Sequence, residues 1–164
     1  MSLNLNKFPD RAVAACVEAM QSGRIAPRYV RDVLKYKGVD VTPIEPFLNN
    51  AIPVIRIAAI QIVAKLGNKD KIIDLLKTEE DKTVLATAIR CLTSKTDYKR
   101  IEDITNLLNN ESSVIRNQVI EMYRQSGRAD CLVGLLFDND DDLVNRIKRY
   151  LEESEDKQSG EKDE

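Results

Sequence analysis

The amino-acid sequence predicts an all-α protein, an α-solenoid (α-α superhelix) of about five antiparallel helix pairs. The apolar 43% of the 164 residues is mostly Leu, Ile, Val and Ala, with only 5% aromatic residues. Aliphatic side chains alone can fill the space between helices. Six glycines and five prolines are fewer turn residues than an all-β chain usually carries. The apolar positions follow helical spacing, and their pattern repeats along the chain.

A segment of nine residues occurs twice. Residues 48–56 are LNNAIPVIR and residues 108–116 are LNNESSVIR, so six of nine positions are identical at a spacing of 60. Half of that spacing also aligns the chain with itself. The residues that fall 30 apart are Val54, Val84, Val114 and Val144. Each repeat is predicted to be a short helix, a polar turn and a longer helix, which must stack on its neighbours to bury its apolar face.

The first 42 residues do not follow this spacing and are predicted to form an irregular N-terminal helical cap. Apolar positions indicate one helix from about residue 10 to 21 and a second from about 27 to 37. Each is followed by a glycine, Gly23 or Gly38, which we expect to end the helix.

Residues 43–151 are predicted to form four repeats, at about 43–70, 71–98, 99–127 and 128–151. In the first repeat, Pro53 suits the first turn of the longer helix, and Gly67 is predicted to end that helix in the left-handed conformation. Residues 152–164 carry seven acidic residues, two lysines and no apolar residue. Burial cannot offset the entropy that such a segment would lose on ordering, so we expect a disordered acidic tail.

With its aliphatic first helix, its turn rich in Asn, Asp and Glu, and V-(I/L)-R near the start of its second helix, the repeat resembles the HEAT repeat. The likeness is greatest to the short HEAT-like form of phycobilin lyases and of many bacterial and archaeal scaffold proteins, and it covers about residues 44–151. The resemblance implies that a turn residue pairs with an arginine of a neighbouring repeat. The turn residues would be Asn50, Asp81, Glu111 and Asp138, and the arginines Arg56, Arg116 and Arg146, with an interruption at Ala86. We assign Arg56 and Arg116 to this structural ladder.

The resemblance also implies that the second helices line a concave face. The four predicted second helices carry nine basic and two acidic residues, although the whole chain has a net charge of −2. The predicted partner-binding residues are Lys65, Arg90, Arg124, Arg146 and Arg149. Two explanations stay open, since bases near a helix C-terminus also complement its dipole. If the surface binds a ligand, the acidic tail is a candidate intramolecular competitor for it.

Several function classes are disfavoured by the composition. The absence of histidine removes Ser–His and Cys–His nucleophile pairs and imidazole metal ligands. Cys16, Cys91 and Cys131 form no CxxC pair, so they are interpreted as small apolar side chains in a reducing cytosol. The run from Asp138 to Asp142 is interpreted as a turn that caps a helix and not as a Ca²⁺ site, because it lacks the glycine and distal glutamate of an EF-hand loop.

The sequence therefore favours a non-enzymatic scaffold or adaptor that is cytoplasmic and monomeric and binds a protein partner with an acidic surface. No catalytic residue, metal, cofactor or membrane contact is expected. Nucleic-acid binding through the basic face is the first alternative, although few aromatic residues are present for base stacking. A phycobilin-lyase-like enzyme, implied by the resemblance alone, is the second.

Overall fold

The computed structural model describes residues 7–92, 95–128 and 130–160. Within these ranges the side chains of Lys7, 95–99, 130, 131, 154 and 157–159 are not described. The elements in chain order are α1 (Lys7–Gln21), α2 (Pro27–Leu34), η1 (Thr42–Asn49), α3 (Pro53–Leu66), α4 (Asp70–Leu76), α5 (Lys82–Cys91), η2 (Lys95–Asn109), α6 (Ser113–Ser126), α7 (Asp130–Val133), η3 (Gly134–Phe137) and α8 (Asp141–Gly160), where η denotes a 3₁₀ helix. No strand occurs in these ranges, and the prediction of an all-α fold is confirmed.

The chain divides into two units, Met1–Arg100 (unit 1) and Ile101–Glu164 (unit 2). In unit 1, α3 is the central helix and contacts α2, η1, α4 and α5. Its buried residues are Ile55, Ala58, Ala59, Ile60, Ile62, Val63 and Ala64. A helix that is apolar on most sides is stable only when it is surrounded, which α2, η1, α4 and α5 do here, while α1 packs on α2 and η1.

In unit 2, a buried tyrosine joins η2 to α6. The Tyr123 hydroxyl donates a hydrogen bond to the Ile101 carbonyl at 3.0 Å and lies 2.9 Å from Thr105 Oγ1. Both partners belong to η2, and Ile101 and Ile104 are fully buried. The fully buried ring and its satisfied hydroxyl thus fix how η2 lies on α6.

The long helices α3, α5, α6 and α8 begin in one common register. The residue that precedes each helix accepts its first backbone hydrogen bond, and these residues are Ile52, Asp81, Ser112 and Asp140. Three positions later the side chains are all buried, at Ile55, Val84, Ile115 and Leu143. Seven positions later they are fully buried, at Ala59, Ala88, Val119 and Ile147.

The constant spacing of 30 residues that aligns four valines in the sequence therefore does not align equivalent positions of the helices. Of those valines, Val84 is fully buried, whereas Val54 and Val114 are 51% and 59% exposed. The steps between successive helix-preceding residues are unequal, because the segments that separate the long helices differ in length. A slip of one position moves a helical side chain by about 100°, enough to take it from the core to solvent.

The turn before each long helix is closed by the same hydrogen bond. A side-chain oxygen two positions before the helix-preceding residue accepts that residue's backbone N–H at 2.9 Å, and the four acceptors are Asn50, Glu79, Asn110 and Asp138. Asn50 and Asp138 are turn residues that the sequence predicted, whereas Glu79 and Asn110 take the places predicted for Asp81 and Glu111. Asp81 instead caps α5, accepting from the N–H groups of Thr83 and Val84.

The acidic run before α8 is also a capping turn. Asp140 Oδ1 accepts from the N–H groups of Asp142 and Leu143, both at 3.1 Å. This matches the role of Asp81 at α5, and the interpretation of the run as helix-capping is confirmed. The side-chain oxygen satisfies N–H groups that the first turn of a helix leaves without a partner.

The arginine of the duplicated segment has a defined structural role. Arg56 Nη1 donates to the carbonyls of Asn50 and Ala51 at 2.8 and 3.3 Å, and Arg116 Nη1 donates to those of Asn110 and Glu111 at 2.6 and 3.0 Å. The equivalent positions of α5 and α8 hold Leu85 and Val144, so Arg146 does not belong to this set. The segment LNN-x-x-x-VIR therefore encodes a turn and the side chain that closes it.

Arg56 also ties two successive turns together. Its Nε and Nη2 donate to the two carboxylate oxygens of Glu79 at 2.7 and 2.8 Å. The Arg56 and Glu79 side chains are only 15% and 6% exposed. Because Glu79 also accepts from the backbone of its own turn, this one ion pair joins the start of α3 to the start of α5. A paired, bidentate geometry is what makes the burial of two charges tolerable.

At two places the structure differs from the expected helix ends. Gly67 does end α3, but its φ of −112° is not left-handed. A Cβ there would approach Val41 Cγ2 at 3.0 Å and the Val63 carbonyl oxygen at 3.1 Å, so close packing and not φ favours glycine. At the other end, residues 152–160 continue α8 and are not disordered as expected; 161–164 lie outside the described residues. Extending an existing helix adds a hydrogen bond per residue, and Glu, Lys and Gln suit helices well.

We expect Glu79→Ala to lower the free energy of unfolding by about 3 kcal/mol, because it leaves the largely buried Arg56 guanidinium without its anion. Urea denaturation followed by far-UV circular dichroism measures this loss. The neighbouring Glu80→Ala, which removes an exposed carboxylate, should change the stability by less than about 0.5 kcal/mol. Equal effects of the two substitutions would contradict the bridging role of Glu79.

A second prediction concerns Cys16, which is fully buried in α1. Burial raises the pKa of the Cys16 thiol from 9.0 to about 11. Above pH 9 the unfolded chain releases this proton while the folded chain retains it, so stability should fall as the pH rises from 9 to 11, by on the order of 2 kcal/mol. In urea titrations across this range, the stability difference between wild type and Cys16→Ala should shrink. Parallel pH profiles for the two proteins would show that Cys16 does not contribute.

Candidate functional site

A groove of about 690 Å³ lies in unit 1 beside α2, α3 and α5. Four basic residues line it, namely Arg31, Lys65, Lys69 and Arg90. Its apolar surface includes Val30 and Leu34 of α2 and Ala64 of α3. The groove thus combines positive charge with an apolar surface.

Helix ends place three of these four bases. Arg31, Lys65 and Arg90 each lie in the last turn of their helix, α2, α3 and α5 respectively. The C-terminal turns of three helices therefore contribute to one groove. Lys69 comes from the short turn between α3 and α4. Because Val30 and Val33 are buried, the helical period of α2 leaves Arg31 exposed at the groove.

The described lining of the groove is positively charged and contains no acidic residue. Arg31, Lys65 and Arg90 form no ion pair with a carboxylate anywhere in the described part of the chain. Arg90 Nη2 does donate to Thr87 Oγ1 at 3.3 Å, a neutral partner that leaves its charge in place. An anionic group entering the groove would meet several cations close to a low-dielectric surface, where charge attraction is stronger than in water.

Cys91 lies at the edge of the same groove and is half-buried. Burial raises the pKa of its thiol, although the charges of Arg90 and Lys69 act in the opposite direction. The thiol is therefore protonated at neutral pH and is a weak nucleophile. The side chain of Cys131 lies outside the described side chains.

The five predicted partner-binding residues are divided between the two units. Lys65 and Arg90 lie together in the groove, whereas Arg124, Arg146 and Arg149 belong to unit 2. Sequence reasoning missed Arg31, because α2 was assigned to the cap, and Lys69, because it lies in a turn. The pattern of buried valines in α2 and the position of Lys69 one helical turn after Lys65 are the signals that could have found them.

The unit 2 arginines have their own local partners. Arg124 Nε and Nη2 donate to both carboxylate oxygens of Glu121 at 2.9 and 2.7 Å, so its charge is compensated within α6. Arg146 donates to Asn117 Oδ1 at 3.3 Å and lies 3.5 Å from Asp142 Oδ2, and its side chain is 25% exposed. These contacts make Arg146 a link between α6 and α8. Arg149 is exposed on α8.

Comparisons with protein-family models, curated proteins and solved structures found no match to this chain. Among the described side chains, no cluster of three or more Cys, Asp or Glu residues is placed to hold a metal ion. In the same part of the chain, no helix is both long and apolar enough to cross a membrane. The function is therefore inferred from the residues of the basic groove.

Proposed function

We propose that this protein is a non-enzymatic scaffold or adaptor of the HEAT-like, α-solenoid type, and that its basic groove binds an acidic segment of a protein partner in the cytoplasm. The observation that carries the proposal is the set of four basic residues, from three helices and a turn, around an apolar surface with no acidic residue among the described lining. Positive charge in a concave surface attracts acidic partners and speeds their association.

The apolar part of the groove favours a peptide over a simple anion. A helical segment that carries apolar residues on one face and carboxylates beside them would place the first against Val30, Leu34 and Ala64. Its carboxylates would then reach the bases at the rim. Apolar contact supplies affinity in such a complex, and the charges fix orientation and exclude basic segments.

Nucleic acid fits the groove less well. Single strands bind by stacking their bases on aromatic side chains, and the described lining residues include none. A duplex would be held by phosphate contacts alone, and its affinity would fall steeply with salt concentration because counterions are released. Binding of a peptide with apolar contacts should depend on salt more weakly.

The proposal predicts how charge reversal in the groove changes peptide affinity. The probe is a fluorescein-labelled synthetic helical peptide with leucines on one face and glutamates elsewhere, measured by fluorescence anisotropy. The double variant Lys65→Glu/Arg90→Glu should bind it at least about tenfold more weakly, since each reversal replaces an attraction by a repulsion of about 1 kcal/mol.

The matched control is Lys37→Glu/Lys82→Glu, which changes the net charge equally at two exposed lysines outside the groove lining. It should bind within about twofold of wild type, because neither lysine lines the groove and salt weakens the interactions of exposed charges. Equal weakening in both double variants would overturn the groove as the binding site. Stronger binding of a DNA duplex than of the peptide, with a steep salt dependence, would favour the nucleic-acid alternative.

A further inference from the structure

We infer that the basic groove takes the acidic C-terminal end of α8 from a second copy of this chain. We call residues 152–160, the part of α8 beyond Leu151, the acidic extension. The inference rests on the proposed function, because it assigns an occupant to the same groove.

The two halves of α8 differ sharply in burial. In the first half Leu143, Val144, Ile147 and Tyr150 are buried and hold the helix against the rest of unit 2. In the extension the described side chains, which include Glu152, Glu153 and Glu155, are exposed. At the rise of an α-helix, the extension projects by about 13 Å as a rod.

The extension has the charge that the groove requires. Glu152 and Glu155 are one helical turn apart and share one face of the helix. The preceding Leu151, one turn before Ser154 and Glu155, is only partly buried and is the apolar residue nearest to this face. A helix that is polar on all sides gains little from burial, so ion pairs with a basic surface are the contacts that would stabilise it. The groove supplies four basic residues and an apolar surface.

Helical continuity presents the extension to a second copy as a preformed helix. The extension and the packed half are one uninterrupted helix, Asp141–Gly160, so the extension is ordered before it binds. Two copies can each place an extension in the other's groove, which doubles the buried surface and closes the assembly as a two-fold dimer. Two short helices bury less than the roughly 1,200–2,000 Å² of a stable interface, so the dimer should be weak and sensitive to salt.

Reciprocal charge exchange tests the inference in the full-length chain. The groove variant is Lys65→Glu/Arg90→Glu, and the extension variant is Glu152→Lys/Glu155→Lys; all four side chains are exposed. In sedimentation velocity at low salt, wild type should shift with concentration from the 18.6 kDa chain towards twice that mass. Each variant alone should stay monomeric, and an equal mixture of the two should recover the dimer, because the new lysines then meet the new glutamates.

A wild type that stays monomeric at all concentrations would overturn the inference, and so would an association that both variants retain. Failure of the mixture to recover the dimer would also overturn it. Peptide binding by the extension variant separates this inference from the proposed function, because its groove is intact. If that variant binds the acidic peptide as wild type does and wild type is monomeric, only the second copy is excluded. If wild type also fails to bind the peptide, the proposed function fails as well.

Discussion

The starts of α3, α5, α6 and α8 are each fixed by a side chain in the preceding turn, and the packing of these helices follows from that constraint. In four turns an Asn, Glu or Asp accepts the backbone N–H two positions later, so each helix begins in one register relative to its turn. The side chains three and seven positions after the helix-preceding residue then always enter the core. Where an arginine follows at the fourth position, as at Arg56, its guanidinium binds the turn carbonyls, and the pair with Glu79 extends the constraint to the next turn.

The sequence shows the helices clearly and their register less well. The longer spacing found by self-comparison is correct, because Ile52 and Ser112 precede equivalent helices and occupy the same place in the two copies of the duplicated segment. Half of that spacing is not correct as a repeat length, since Asp81 lies closer to Ile52 than to Ser112 along the chain. The apolar pattern tolerates this slip, because a wide helical stripe offers an apolar residue at either position. Only the hydrogen bonds of the turn distinguish Ile55 from Val54 as the core residue, and these depend on backbone geometry that the sequence does not display.

For the candidate site too, composition predicts some of the residues, and only the structure shows which others lie beside them. An excess of basic residues on the longer helices led to Lys65 and Arg90, which do share a groove. Counting charges helix by helix could not show that α2 supplies Arg31 to the same place. It also overestimated the contribution of Arg124 to the basic surface, because Glu121 one turn earlier compensates its charge. The spacing of these two residues in the sequence would have predicted that pairing.

The two explanations for the basic residues, helix stability and ligand binding, are compatible in this fold. A base in the last turn of a helix stabilises that helix by about 0.3–1 kcal/mol whatever lies nearby. Because the last turns of α2, α3 and α5 all border one groove, the basic residues of these three turns place their charges on a common surface. The groove's field is then a collective result of local preferences. Charge at these positions contributes to folding and binding together, so peptide affinity and unfolding free energy must be measured on the same variants to separate the two contributions.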